Sequence, residues 1–151
     1  MVQPLEESSF HSSSSVECIL IPADGVELIW PLAAPLLEKA IKTTRKIDLP
    51  SLRECAIDGS MQIWLVYDHE GKEVLASLAT EIVTYTSGLK SARIMLLGGL
   101  HIKRWTHLIA TIEKWALEWG CSTVEIVGRR GWGRVYTDYV PLESWFSKEI
   151  V

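Results

Sequence analysis

The chain has 151 residues, 48% hydrophobic and 23% charged, which suits one domain with a proper core and is too short for two typical ones. A formal net charge of −4 argues against a generally basic, nucleic-acid-coating surface and leaves room only for a local basic patch. The opening MVQPLEESSF lacks a basic segment followed by an apolar core, so no secretion leader is expected. No apolar run approaches the roughly 18 residues of a membrane span, and the expectation is a soluble protein, cytoplasmic or carried inside an assembly.

Residues 1–15, ending in SSFHSSSS, form a polar arm that cannot bury enough surface to fold alone. Residues 16–151 then read as a single domain. VECILIPA (16–23) is a first strand. Asp24 stands where a side chain accepts hydrogen bonds from the free N–H groups opening a helix over 26–43. Pro31 and Pro35 fall inside that helix and predict a bend or break. DLPSLRECAIDG (48–59) predicts a short helix with Pro50 in its first turn and Gly59 as its stop.

MQIWLVYD, KEVLASLATEIVTYT and SARIMLLGG come next, separated by the short turns DHEG and SGLK, which makes an antiparallel meander. Over 101–119, Ile102, Trp105, Leu108, Ile109, Ile112, Trp115, Ala116 and Trp119 recur at the spacing of one buried helix face. Gly120 ends that helix. STVEIVG is a further strand, so strand, helix and strand imply a right-handed parallel crossover. LESWFSKEIV is read as a last strand. Cys18, Cys55 and Cys121 share no ligand spacing and read as reduced, buried thiols. His101 and His107 lie six apart, off a common helix face, and no metal site is expected from them. The seven tryptophans are expected mainly as core fillers whose indole N–H groups need partners.

This order of elements, together with GGLHIKRW and WALEWGCSTVEIVGRRGWGRVY, resembles the GNAT (acyl-CoA N-acyltransferase) superfamily, and within it the small GNAT-like proteins of phages and prophages. The likeness of order covers about 16–151; that of sequence is concentrated in 98–136. The resemblance implies an α/β (α+β) fold: a mixed sheet, antiparallel meander plus parallel βαβ crossover, with helices on both faces. It also implies acetyl-CoA as cofactor and an amine as acceptor.

In active members the loop before the long helix holds the cofactor pyrophosphate on backbone N–H groups at a helix end. Here LLGGLHIKRW stands in its place without the family's glycine spacing, and the resemblance points to Leu97, Gly98, Gly99, Lys103, Arg104 and Arg129; the alternative is that Gly98 and Gly99 simply turn a strand into a helix, with Lys103 and Arg104 solvated. Arg129, Trp132, Val135 and Tyr136 match the spacing of the family's short helix, with Tyr136 on the tyrosine that acts as general acid. Arginine replaces the usual asparagine and Trp132 a small residue. Glu81, the carboxylate inside the third strand, is the candidate base, with Glu125 a second.

Arg129, Arg130 and Arg134 also suit a phosphate or an acidic partner surface, because the guanidinium fork donates two parallel bonds. Two readings therefore stand side by side. One is an acetyl-CoA-dependent N-acyltransferase. The other is a non-catalytic GNAT-like protein of phage assembly or the virion, acting through protein contacts and open to oligomerisation. A modifier or inhibitor of host machinery is a third. Nucleic acid and membrane are disfavoured as partners.

Overall fold

In a computed structural model, residues 15–128 and 131–150 are described. Five strands make one sheet in the order β1 to β5: Val16–Ile21, Gln62–Asp68, Glu73–Thr84, Lys90–Gly99 and Thr123–Ile126. The first four pair antiparallel, and β4 pairs β5 in parallel. Helices α1 (Val26–Ile41), α2 (Leu49–Asp58), α3 (Ile109–Glu118) and the single turn α4 (Trp132–Val135) complete the domain. The mixed sheet, and the order of elements as far as α4, are those expected.

Strand alternation sorts the apolar residues into two cores. Ile63, Leu65, Ala79 and Leu96 meet α1 and α2 through Leu37, Ala40, Leu52 and Ala56. Cys18, Trp64, Val66, Leu78 and Ile94 point the other way, toward Trp105 and Ile112. Trp64, only 2% exposed, meets Trp115 of α3 edge-on at 5.2 Å. Its Nε1 donates to Thr80 Oγ1 at 2.9 Å, and that hydroxyl donates to Gln62 Oε1. The indole N–H therefore has the partner a buried indole requires.

Several local expectations are corrected. Asp24 does not cap α1; it lies in a 3-10 turn over Ala23–Gly25, and Gly25 occupies the cap position without a side-chain bond. The helix runs unbroken through Pro31 and Pro35. Both prolines are exposed, so the carbonyls that lose their donors are on the side water reaches. The long helix is shorter than its pattern: 3-10 turns at Ile102–Arg104 and Thr106–Leu108 precede α3. Trp119, expected on the buried face, is 57% exposed. No strand forms over 140–150. Of the cysteines, Cys18 and Cys121 are buried and Cys55 partly so, all three free. The α2 signals hold: Pro50 sits in the first turn and Gly59 closes the helix at φ 87°; in addition Asp48 Oδ1 caps it, accepting from Ser51 N at 2.9 Å.

Two contacts fix how the loops meet the sheet. At Gly98, α1 crosses β4 so closely that a Cβ would strike the Leu36 carbonyl. At the β2–β3 end, Arg104 Nη2 donates to Asp68 Oδ2 at 2.7 Å, with Glu73 Oε1 3.8 Å from Nη1. That guanidinium bond holds the Asp68 carboxyl down to about 2, helped by the Gly71, Glu70 and Ser15 donors against the cost of burial.

Gly98→Ala is expected to destabilise the protein by about 1–3 kcal/mol in urea unfolding, the usual cost of overpacking a core site. An unchanged midpoint would show that α1 moves off β4 freely. For Asp68 the folded value lies below the ordinary 3.8, so its contribution is complete above that pH and lost as pH falls toward about 2. Arg104→Ala is expected to flatten this acid-side loss of stability, and an unaltered pH profile would mean that Arg104 does not hold the carboxylate.

Candidate functional site

The parallel pairing of β4 with β5 covers only Ser91–Thr123 to Ile94–Ile126. A last bond, Val127 N to Ile94 O at 2.9 Å, closes it. β4 nevertheless continues to Gly99, still paired with β3. Met95 is an extra residue: the β3 partners of Ile94 and Leu96 are the adjacent Thr80 and Ala79. Such a bulge bends its strand and re-aims the side chains after it. From Met95 onward, among the described residues, 95–99 have β3 on one side and no strand on the other. Among the described residues, the side of 95–99 that faces β5 is thus without a strand partner, the kind of edge that an extended chain with amides of its own can pair with.

Around this edge the expected phosphate-binding residues are spread rather than convergent. Leu97 packs on the α3 side of the sheet. Where Gly98 and Gly99 lack side chains, the Leu36 carbonyl and Ala76 take the space, so close protein packing already accounts for both glycines. Lys103 is exposed. Arg104 is neutralised by Asp68 and Glu73 at the β2–β3 end. Between them and α3 stands Trp105, 2% exposed, its Nε1 donating to Leu100 O at 2.8 Å. Arg129 and Arg130 lie outside the described residues. Arg134 is exposed at the end of α4.

Tyr136 comes directly after α4 and turns into the α3-side core at 7% exposure. Trp132 stacks over it with ring centroids 6.2 Å apart, and the same indole lies against Gly128. Tyr136 shares a cavity with Cys18, Val66, Leu78, Trp105, Leu108, Ile109 and Ile112. That cavity is only about 10 Å³, scarcely the space of one water. Burial pushes the phenol up to about 12, with Cys18 and Glu113 adding to the effect. The Cys18 thiol is likewise pushed up to about 12, by burial and then by Glu17.

On the opposite side of the sheet runs a polar row that sequence reading did not assemble. Glu81 and Glu125 are the direct strand partners of Arg93, on β3 and β5 respectively. Direct partners share a face. Arg93 Nε lies 3.7 Å from Glu125 Oε1, both side chains about one quarter exposed. Tyr85 Oη donates to the same oxygen at 2.7 Å, and that bond raises the Tyr85 pKa above the ordinary phenol range. The row sits one pair below the point where β4 and β5 part. An alternating strand pattern with one arginine facing two glutamates is the signal that would have located it, had the registers been known.

No protein-family model matches the sequence, and no curated protein matches it. Solved structures do. An aminoglycoside acetyltransferase from an uncultured soil metagenomic sample superposes with TM-score 0.67 at 14% identity, over 90% of this chain and 98% of that one. The ribosomal-protein-alanine N-acetyltransferase of Brucella melitensis gives 0.61 at 16%, over 90% and 99%. A putative acetyltransferase from Pyrococcus furiosus gives 0.60 at 14%, again over 90% and 99%. At these identities the likeness concerns architecture alone: a mixed five-stranded sheet, antiparallel except for the parallel β4–β5 pair, with helices on both faces, is a GNAT-like fold.

Proposed function

We propose that the protein is an N-acyltransferase that binds acetyl-CoA between β4 and β5 and acylates an amine. The observation that carries this reading is the parting of the two strands after Ile94–Ile126, which leaves the backbone of 95–99 available along a wall of the opening. Bound there, the cofactor supplies an acyl group activated as a thioester. Leu97, Gly98 and Gly99 offer backbone groups to it. Lys103 and Arg129 supply positive charge toward its phosphates, and Arg104 joins them only by leaving Asp68.

The acceptor enters from the α1 side, where Glu81, Arg93 and Glu125 leave one net negative charge, complementary to an ammonium. Glu81 takes the proton of the amine. Tyr136, a phenol and so protonated at neutral pH, with its value pushed further up to about 12 by burial, is the proton donor on the other side of the sheet. Its cavity must widen for that role, since about 10 Å³ admits no part of a substrate.

A second reading is favoured by the occupied space at Gly98 and Gly99 and by the neutralised Arg104. It is a non-catalytic GNAT-shaped protein of the phage type, in a virion or in host cytoplasm, that grips a protein partner through Arg129, Arg130 and Arg134.

Thermal melting with acetyl-CoA separates the two. At about 100 times its dissociation constant, a ligand adds about 2.7 kcal/mol to folded stability. Each kcal/mol shifts the midpoint of a chain this size by roughly 2–4 °C. A clear upward shift is expected, and its absence at millimolar acetyl-CoA would leave the second reading standing. Given turnover with an amine, Tyr136→Phe is expected to lower kcat on the order of 100-fold with little change in KM for acetyl-CoA. Equal activity would remove Tyr136 from the chemistry.

A further inference from the structure

Helix α1 has two apolar faces. Val26, Ala33, Leu37 and Ala40 are the buried one, packed toward the sheet and α2. Leu28, Pro31, Leu32 and Pro35 recur on the opposite side at i, i+3, i+4 and i+7, the spacing of a single helix face. All four are exposed, Leu28 at 85% and Leu32 at 52%. A helix lying on a globular core ordinarily turns polar residues outward, so a second apolar stripe marks a contact surface.

Charge is ordered along the same stripe. Asp24 stands in the turn that leads into α1, one helical turn before Leu28. Lys39, in the last turn, falls in line with Leu28, Leu32 and Pro35 at 3.6 residues per turn. Both are exposed, and among the described residues neither enters an ion pair. Glu27, beside Asp24, is engaged by Arg53 of α2 at 3.7 Å. The stripe therefore runs acidic, apolar, basic from its N-terminal to its C-terminal end. Pro31 and Pro35 also leave the carbonyls four residues before them, on Glu27 and Pro31, without helix donors.

Such a stripe is complementary to its own reverse. Two copies of α1 laid antiparallel, about a two-fold axis between Pro31 and Leu32, set Leu28 of each opposite Pro35 of the other and Pro31 opposite Leu32. The same axis sets Asp24 opposite Lys39 at both ends, and the ammonium arrives near the free Glu27 carbonyl. Antiparallel placement also brings the positive end of one helix beside the negative end of the other. An anionic lipid surface meets Asp24 and Glu27 with like charge, and a partner of uniform charge is repelled by one end of the stripe or the other.

We propose that the outer face of α1 is a self-recognition surface: a second copy of this chain packs its α1 antiparallel on Leu28, Pro31, Leu32 and Pro35, with Asp24–Lys39 pairs closing both ends. Such a contact is isologous, each copy offering the same patch. With one helix from each copy it falls below about 1,200 Å², the class of transient encounters, so protein concentration controls it. It is independent of whether acetyl-CoA binds.

The mass of the full chain, followed by small-angle scattering, is expected to rise between about 10 μM and 1 mM with a dissociation constant on the order of 100 μM. Leu28→Asp is expected to weaken this association at least about 10-fold while leaving the circular dichroism spectrum unchanged. At low ionic strength, where exposed charges are least screened, Asp24→Lys and Lys39→Asp are each expected to weaken it about 5-fold. Combined in one chain, the two exchanges are expected to restore it to within about 2-fold of the wild type. Oxidised Leu32→Cys is expected to form a dimer on a non-reducing gel, joined through residue 32 of both copies by peptide mapping. The wild type, with its three free cysteines, and Ser87→Cys in the exposed β3–β4 turn are expected to form none. A mass that does not rise with concentration overturns the proposal. So does an association that Leu28→Asp leaves unmoved, a charge exchange that does not restore it, or a Leu32→Cys disulfide that joins a native cysteine instead of its own counterpart.

Discussion

One residue more in β4 than its partner strand requires, Met95, decides much of this molecule. Side chains on a strand alternate with period two, so an extra residue exchanges the two faces for everything after it. Ile94 lies in the α3-side core; after the bulge Leu96 lies in the α1-side core and Leu97 returns to the α3 side. Gly98 consequently comes beneath α1, where no side chain fits. The same irregularity coincides with the end of pairing to β5. Core assignment, helix seating and the opening in the sheet thus share one cause.

The two sides of the opening differ in chemistry. Toward α1 the sheet shows a charged row, Glu81–Arg93–Glu125, with Tyr85 bonded into it. Toward α3 it shows an apolar core into which Tyr136 and Cys18 turn their ionisable groups, both pushed up to about 12, chiefly by burial. In the proposed acyl transfer, the amine would meet complementary charge on the first side only, and the proton donor would lie on the second. This division of labour comes from strand alternation and does not require the acid and base candidates to touch.

Strand order was legible in the sequence because turns such as DHEG and SGLK punctuate short, strand-like apolar runs. The helix over 101–119 was misread for a reason present in its own spacing. Ile102, Trp105 and Leu108 recur every three residues, the period of a 3-10 helix, whereas Ile109, Ile112 and Ala116 keep the α period. A pattern search that merges threes and fours joins the two. The candidate site was harder. Arg104 looked like a cofactor ligand because nothing local reveals that Asp68, thirty-six residues away, holds it. Likewise Gly98 and Gly99 looked like room for a ligand, when the neighbours that need the room are the Leu36 carbonyl at the first and Ala76 at the second. Contacts distant in sequence decide such roles, and a single sequence does not encode them visibly.

The prolines of α1 have a consequence for how the chain reaches this state. Pro31 and Pro35 each remove a helix hydrogen bond, and a proline inside an isolated helix costs about 3 kcal/mol. A segment with two of them has no tendency to become helical by itself. Its regular form over Val26–Ile41 therefore depends on the surface waiting for Ala33, Leu37 and Ala40, which the β2–β3–β4 meander provides. Hairpins between neighbouring strands close short loops, so the meander is the part able to form early. The helical form of this segment is thus conditional on the sheet it packs against.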